Sequence, residues 1–224
     1  MARDHAPAVR QKAQLERKLG RRASYDRILI VSEGSKTEPN YFLEIRKTFR
    51  LHATNVEVCH CATGTTPLQV VEYAREVFEN GNPHSHIQKR AFEQVYAVFD
   101  RDAHASYHQA LQQAAGLNGK LRNDNRQPIV FRAIASIPCF ELWLLLHYED
   151  IQTPLHRKVV LNRLRQYLPS YAKGQANTFA QTRPYLQEAI ARAERLAQRS
   201  SPHTGTEPYS AVGELVKTLT SLQK

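Results

Sequence analysis

Apolar residues recur along this chain in two periods, and the two periods alternate. Short, nearly continuous apolar runs occupy residues 27–32, 55–60, 93–100 and 127–134, each bounded by turn-forming residues. Runs of that length and character read as strands buried on both faces. Between them apolar positions recur at helical spacing: Tyr41, Phe42, Ile45 and Phe49, then Val70, Val71, Ala74, Val77 and Phe78, then Tyr107, Ala110 and Leu111. Thr37 or Ser35 is expected to cap the first helix, with Pro39 in its first turn, and Thr66-Pro67 the second; the third is expected over residues 103–116. This alternation predicts an α/β domain with a mostly parallel sheet over residues 25–135. Residues 136–224 read as helical, with helices near 140–148, 155–168, 178–198 and 208–222, separated by Pro154, Pro169, Gly174 and the 202–205 segment. This portion is expected to pack on the sheet and shape a cleft.

The strand ends carry the candidate chemistry. The third strand runs Val95-Tyr96-Ala97-Val98-Phe99 into Asp100-Arg101-Asp102, and the first runs into Ser32-Glu33-Gly34. Side chains two apart on a strand share a face, so Asp100 and Asp102 can address one point. Parallel pairing of the two strands would bring Glu33 there too. Carboxylates about 7 Å apart repel by about 2 kcal/mol at an effective dielectric near 20. A hard divalent cation relieves that repulsion and keeps positions open for water and phosphate oxygens. The carboxyl ends of parallel strands are also where open α/β sheets bind ligands. The competing reading is structural: Asp-x-Asp at a strand end also serves to cap the helix that follows.

Charge adds a partner. The chain carries a formal net charge of +10, which favours a polyanion, most simply nucleic acid. Residues 1–24 hold seven cations, Arg3, Arg10, Lys12, Arg17, Lys18, Arg21 and Arg22, against Asp4 and Glu16. Such a basic arm suits phosphate contact, with Arg17, Lys18, Arg21 and Arg22 as its densest part, and is compatible with a homodimer. A hydrophobic share of 42% fits a soluble globular protein, and no run approaches the length of a membrane span. The N-terminus lacks the apolar core of a signal peptide, and three cysteines make no disulfide pattern, so a cytoplasmic setting is expected.

Three blocks carry a family resemblance. Glu33-Gly34 after one strand and Asp100-x-Asp102 after a later one resemble the Toprim domain. More narrowly, Ile30-Val31-Ser32-Glu33-Gly34-Ser35-Lys36-Thr37-Glu38-Pro39-Asn40-Tyr41-Phe42 resembles the opening of the RloB family. So do Val98-Phe99-Asp100-Arg101-Asp102 and Ser136-Ile137-Pro138-Cys139-Phe140-Glu141-Leu142-Trp143-Leu144-Leu145-Leu146-His147-Tyr148, in the family's order. The resemblance implies a Toprim/Rossmann-like fold and a Mg²⁺-dependent phosphodiester site, with Mn²⁺ as the alternative metal. Asp100 and Asp102 would be metal ligands, and Glu33 a ligand or general acid/base. It further implies a nuclease acting on DNA or RNA in prokaryotic antiviral defence, with an ATPase of the ABC or AAA type as partner. The alternative is a non-catalytic module that holds metal structurally and binds nucleic acid or that ATPase.

Glu141 opens an apolar helix and is a candidate fourth site carboxylate. His147 lies six residues on, about 240° around a helix, and reads as a core or C-cap histidine before a proton shuttle. Lys36 could meet a phosphate or stand in solvent. Gly34-Ser35-Lys36-Thr37 lacks the earlier glycine of a P-loop. Arg101 is read as a structural partner, Cys59 and Cys61 as thiols without a second pair for zinc, His104 and His108 as a solvated helix face, and Trp143 as core.

Overall fold

The four apolar runs form four parallel strands: β1 (Ile28–Ser32), β2 (Val56–His60), β3 (Gln94–Asp100) and β4 (Val130–Ile137). A computed structural model describes residues 26–101, 105–203 and 208–222, so the basic arm with Arg17, Lys18, Arg21 and Arg22, and also Asp102 and His104, lie outside the described residues. A two-residue strand, β5 (Tyr209–Ser210), joins β4 antiparallel, giving the order β2-β1-β3-β4-β5. Helices α1 (Thr37–Thr48), α2 (Pro67–Asn80) and α3 (Tyr107–Leu117) link the strands. After β4 come α4 (Glu141–Leu145), α5 (Arg157–Tyr167), α6 (Thr178–Thr182), α7 (Leu186–Arg199) and α8 (Val212–Ser221). The architecture is the mostly parallel α/β sheet with flanking helices of the Toprim/Rossmann-like class.

Burial on both faces explains why the strands read as unbroken apolar runs: every residue of β1 is buried. The register pairs Ile28 with Gln94 and Ser32 with Val98, which fixes the end of β1 beside the end of β3. From β1 the chain turns to β2 on one side and then crosses to β3 on the other. The crevice beyond β1 and β3 is therefore the topological switch point of the sheet, where such folds bind ligands. At the opposite pole Arg27 clamps the entry to the same two strands, its Nε donating to Glu93 at 3.0 Å and its Nη1 to Asp124 at 2.7 Å.

Local sequence accounts for some ends and not others. Thr66 caps α2 in a reciprocal box, Gln69 N donating to its Oγ1 at 3.4 Å and Gln69 Oε1 accepting from its N–H at 3.2 Å. Neither Thr37 nor Ser35 caps α1: the N-cap position is Lys36, and Thr37 Oγ1 instead accepts from the Gly174 backbone N–H at 2.9 Å. A long-range contact has taken the hydroxyl that local pattern assigned to a cap. β4 begins later than residue 127 because Asn123 Oδ1 accepts from the N–H groups of Asn125 and Gln127, which holds that stretch as a turn. The 178–198 helix is broken after Thr182 by a 3₁₀ turn at Arg183–Tyr185, which contains Pro184. The last helix starts at Val212 rather than 208, because Tyr209 and Ser210 extend the sheet. Among the described residues no helix is long and apolar enough to cross a membrane.

Candidate functional site

Glu33 is placed by the end of the β1–β3 ladder. Its N–H donates to Val98 O at 2.9 Å, and its Oε2 accepts from the Asp100 N–H at 3.0 Å. The carboxylate of one strand thus caps the end of the next, and Glu33 and Asp100 meet as parallel pairing requires. Arg101 turns away, with its guanidinium 5.5 Å from the Tyr107 ring centre. Glu141, the first residue of α4, is buried beside them; Tyr171 donates to its Oε1 at 3.3 Å and Lys173 Nζ lies 3.5 Å away.

A fourth carboxylate joins them. Glu38, in the first turn of α1, is 8% exposed and folds back over Gly34. A Cβ at Gly34 would stand 2.2 Å from Glu38 Oε2, so the glycine is what lets this side chain reach the cluster. Glu33, Glu38, Asp100 and Glu141 line one cavity of about 320 Å³ with Lys36, Arg157 and Lys173. Arg157, at the start of α5, has its Nη2 3.9 Å from Asp100 Oδ2. Lys173 arrives on a loop tied to the start of α1: Gly174 donates to Thr37 Oγ1, and its carbonyl accepts from Asn40 Nδ2 at 2.9 Å.

The electrostatics follow from this crowding. Burial pushes the Asp100 carboxyl well above its ordinary range, and the charges of Glu38, Glu33 and Glu141 push it further. Burial, with Glu141 and Glu33, raises Glu38 to about 7. For Lys173 burial alone would lower the ammonium, but Glu141 and Asp100 outweigh it and raise it. A larger groove of about 450 Å³ lies between α7 and α8, but its charges are matched, Arg132 with Glu214 and Lys217 with Glu194, each at 2.7 Å.

Glu38 gives a measurable pH dependence. Its carboxyl moves from an ordinary 4.5 to about 7 on folding. A raised acid stabilises the fold fully below 4.5, and that share is lost as pH rises towards 7. The metal-free protein should therefore melt at lower temperature at pH 8 than at pH 5, the Glu38 share amounting to about 3 kcal/mol at most. Thermal melts in EDTA across that range should show the slope flattened in Glu38→Gln. An equal slope in that variant would remove Glu38 from the cluster's energetics.

The donor set suits a hard divalent cation. All four anionic groups are carboxylates, and Asp100 is driven towards protonation by burial and by its neighbours. Among the described residues no group of three or more His, Cys, Asp or Glu side chains is arranged to hold a metal ion. Mg²⁺ does not require one, since it usually takes one or two carboxylates and keeps its waters. Glu33 and Asp100 fit that pattern.

Lys36 lines the same cavity. His147 does not: it is 1% exposed, its Nδ1 lies 3.0 Å from Trp143 O, and burial lowers its imidazole to about 4. It is a core histidine at the end of α4. Cys59 and Cys61 are free thiols, and His108 is exposed. Glu38, Arg157, Tyr171 and Lys173 were not singled out from the sequence. Glu38 had a faint signal, an acid one helical turn after a glycine at a strand end; the other three come from distant segments with no local mark.

Comparison with curated proteins and with solved structures gave no match. The family model for RloB-like proteins matches residues 28–219, from the first residue of β1 to within the last helix. That span includes every described residue of the acidic cavity, and the chain belongs to the RloB-like protein family.

Proposed function

We propose that this chain is a Mg²⁺-dependent nuclease that hydrolyses phosphodiester bonds of DNA or RNA. The observation that carries the reading is four carboxylates from three separate segments in one cavity at the switch point of a parallel sheet, with three cations on the same lining. Glu33 and Asp100 would hold the ion, with Mn²⁺ as a substitute; Asp102, outside the described residues, is the further candidate ligand. When bound, a divalent ion supplies charge neutralisation and an acidified water at a phosphodiester.

The chain's own residues divide the remaining work. Lys36, Arg157 and Lys173 line the cavity and meet the phosphate oxygens. Glu38 can hold a proton near neutral pH, which suits it to an acid/base step. Glu141, fixed by Tyr171 and Lys173, orients groups on the far side of the cavity. The net charge of +10 supports a nucleic acid as the polymer. The basic arm over residues 1–24 would extend that contact, and an ABC- or AAA-type ATPase and a role in antiviral defence are the setting that the family resemblance implies.

The test is cleavage by the purified chain of plasmid, single-stranded DNA and total tRNA, with Mg²⁺, Mn²⁺ or EDTA. Cuts that need metal and vanish in Glu33→Gln are the expected result. Nucleic-acid binding with no turnover on any substrate would instead support the non-catalytic metal-holding module.

A further inference from the structure

The loops that enter β2, β3 and β4, residues 49–55, 81–93 and 118–129, lie at the pole opposite the acidic cavity. They present six exposed cations: Arg50 on the first, Lys89 and Arg90 on the second, and Lys120, Arg122 and Arg126 on the third. The acids on these loops are Glu93 and Asp124, and both bind Arg27. Beside the loops, Asp26 accepts from Gln94 Nε2 at 2.7 Å, and Glu57 of β2 lies 4.0 Å from Arg46. Among the described residues none of the six loop cations makes an ion pair.

The three loops form one surface. The Asp124 N–H donates to Arg90 O at 2.8 Å and Asn123 Nδ2 to Glu93 Oε1 at 3.1 Å, which joins the second loop to the third. Thr54 of the first loop lines a hollow of about 170 Å³ with His86, Gln88 and Phe92 of the second. The four parallel strands behind them span about 14 Å at the usual strand spacing, close to the roughly 12 Å across the major groove of a duplex. The chain enters this pole at Asp26, so the seven cations of residues 1–24 are covalently joined to it.

Three of the six cations sit where the backbone disfavours them. Arg50, Arg90 and Arg126 have φ of 51°, 53° and 61°, the left-handed region that glycine and asparagine ordinarily fill. Arg50 directly follows the C-cap of α1, the position at which helices most often place glycine. His86, at φ 56°, is on the second loop too, so four of the five non-glycine residues with positive φ among the described residues gather here. The helix dipole accounts for Arg46 and Lys47 in the last turn of α1, but its reach ends there. Backbone strain of this kind persists at ligand clamps. What these positions gain over glycine is a guanidinium, a forked donor that matches phosphate. No Phe, Tyr or Trp on these loops is exposed for an unpaired base to stack on, and no large apolar side chain on them is exposed to enter a lipid surface.

We propose that this pole is a binding surface for double-stranded nucleic acid, which it grips by the phosphates through Arg50, Arg90 and Arg126 with Lys89, Lys120 and Arg122 around them. A duplex held here is anchored about 20 Å, the length of β3, from the acidic cavity. The surface therefore holds the polymer and does not cut it, and binding at this pole stands apart from the nuclease reading.

The experiment is fluorescence anisotropy of the full chain with labelled duplexes of about 20 base pairs, DNA or RNA, and with the matching single strands, in EDTA over a salt series. Arg50→Gly, Arg90→Gly and Arg126→Gly combined should weaken duplex binding about ten-fold or more. The slope of log K against log salt should fall by about three, near one for each lost phosphate contact. The melting temperature should not drop, because glycine relieves the left-handed positions. Lysine at the same three positions keeps the charge and should keep most of the affinity. Lys158→Gln, Arg165→Gln and Arg199→Gln combined remove equal charge elsewhere and should leave the slope near its wild-type value. If the glycine triple melts low, the asparagine triple carries the same test, since the left-handed region admits asparagine too. Equal losses for the two charge-removing triples, a slope unmoved by glycine, or single strands bound as tightly as duplex with the same loss would overturn the surface. Duplex binding in the expected pattern without cleavage of any substrate would sink the nuclease reading and leave this surface standing. Metal-dependent cleavage with duplex binding indifferent to the three arginines would do the reverse.

Discussion

Asp100→Asn should abolish metal-dependent cleavage and at the same time raise the melting temperature of the metal-free protein. Asp100 is 9% exposed, is pushed towards protonation by burial and by Glu38, Glu33 and Glu141, and has Arg157 at 3.9 Å as its counter-cation. In the metal-free fold its ionised form is a cost, because three other carboxylates share the cavity. An amide of the same shape removes that repulsion and can donate to a neighbouring carboxylate. The melting temperature in EDTA should rise, at about 2–4 °C per kcal/mol for a domain of this size. Activity should fall by more than about a hundred-fold, since even partners one step removed from a metal cost 10–100-fold. Saturating Mg²⁺ should reverse the order of the two melts, because it binds only the native wild type tightly. A variant less stable than wild type in EDTA would mean that Asp100 serves the fold, and the site reading would lose its main support.

Trp143→Ala should cost about 3–5 kcal/mol, the usual loss for truncating a fully buried aromatic. Trp143 is 0% exposed, donates from Nε1 to Tyr41 OH at 2.9 Å, and has α8 packed so closely that a Cβ on Gly213 would lie 3.1 Å from its ring. The effect reaches the site through chain connectivity: Trp143 follows Glu141 on α4, and Tyr41 lies one turn after Glu38 on α1. Removing the ring loosens both helices that deliver those carboxylates. Calorimetry should show a drop of roughly 6–20 °C on the same size scaling, and calorimetric titration should show weaker Mg²⁺ binding. Trp143→Phe keeps most of the apolar volume and loses the hydrogen bond, so its cost should be nearer about 1–3 kcal/mol. Unchanged Mg²⁺ affinity in a folded Trp143→Phe protein would show that the carboxylates are held independently of this contact.

What could be read from the sequence depended on range. β1 and β3 were plain because both faces are buried, and their parallel pairing followed from the alternation with helices. That pairing alone brings Glu33 to Asp100. Thr66 was legible as a cap because its partner, Gln69, lies three residues away. Thr37 was misread because its hydroxyl answers to Gly174, 137 residues on. β5 was invisible since two residues carry no period, and Pro208 before it suggested a helix start. The cations of the cavity followed the same rule: Lys36 sits in a motif, while Arg157 arrives at the start of α5 and Lys173 on a loop, both placed only by packing.

The loop that ties Gly174 to Thr37 and Asn40 also sets an order of events for the growing polypeptide. Glu33, Glu38, Asp100 and Glu141 all emerge from the ribosome before Lys173 does. Until residue 173 is out and the loop is clamped, the acidic pole has no lysine across from Glu141 and nothing holding Thr37. A chain interrupted before that point carries the acids and Arg157 without Lys173 and without the clamp on Thr37. The acidic pole is thus assembled in two stages, carboxylates first and the Lys173 loop last.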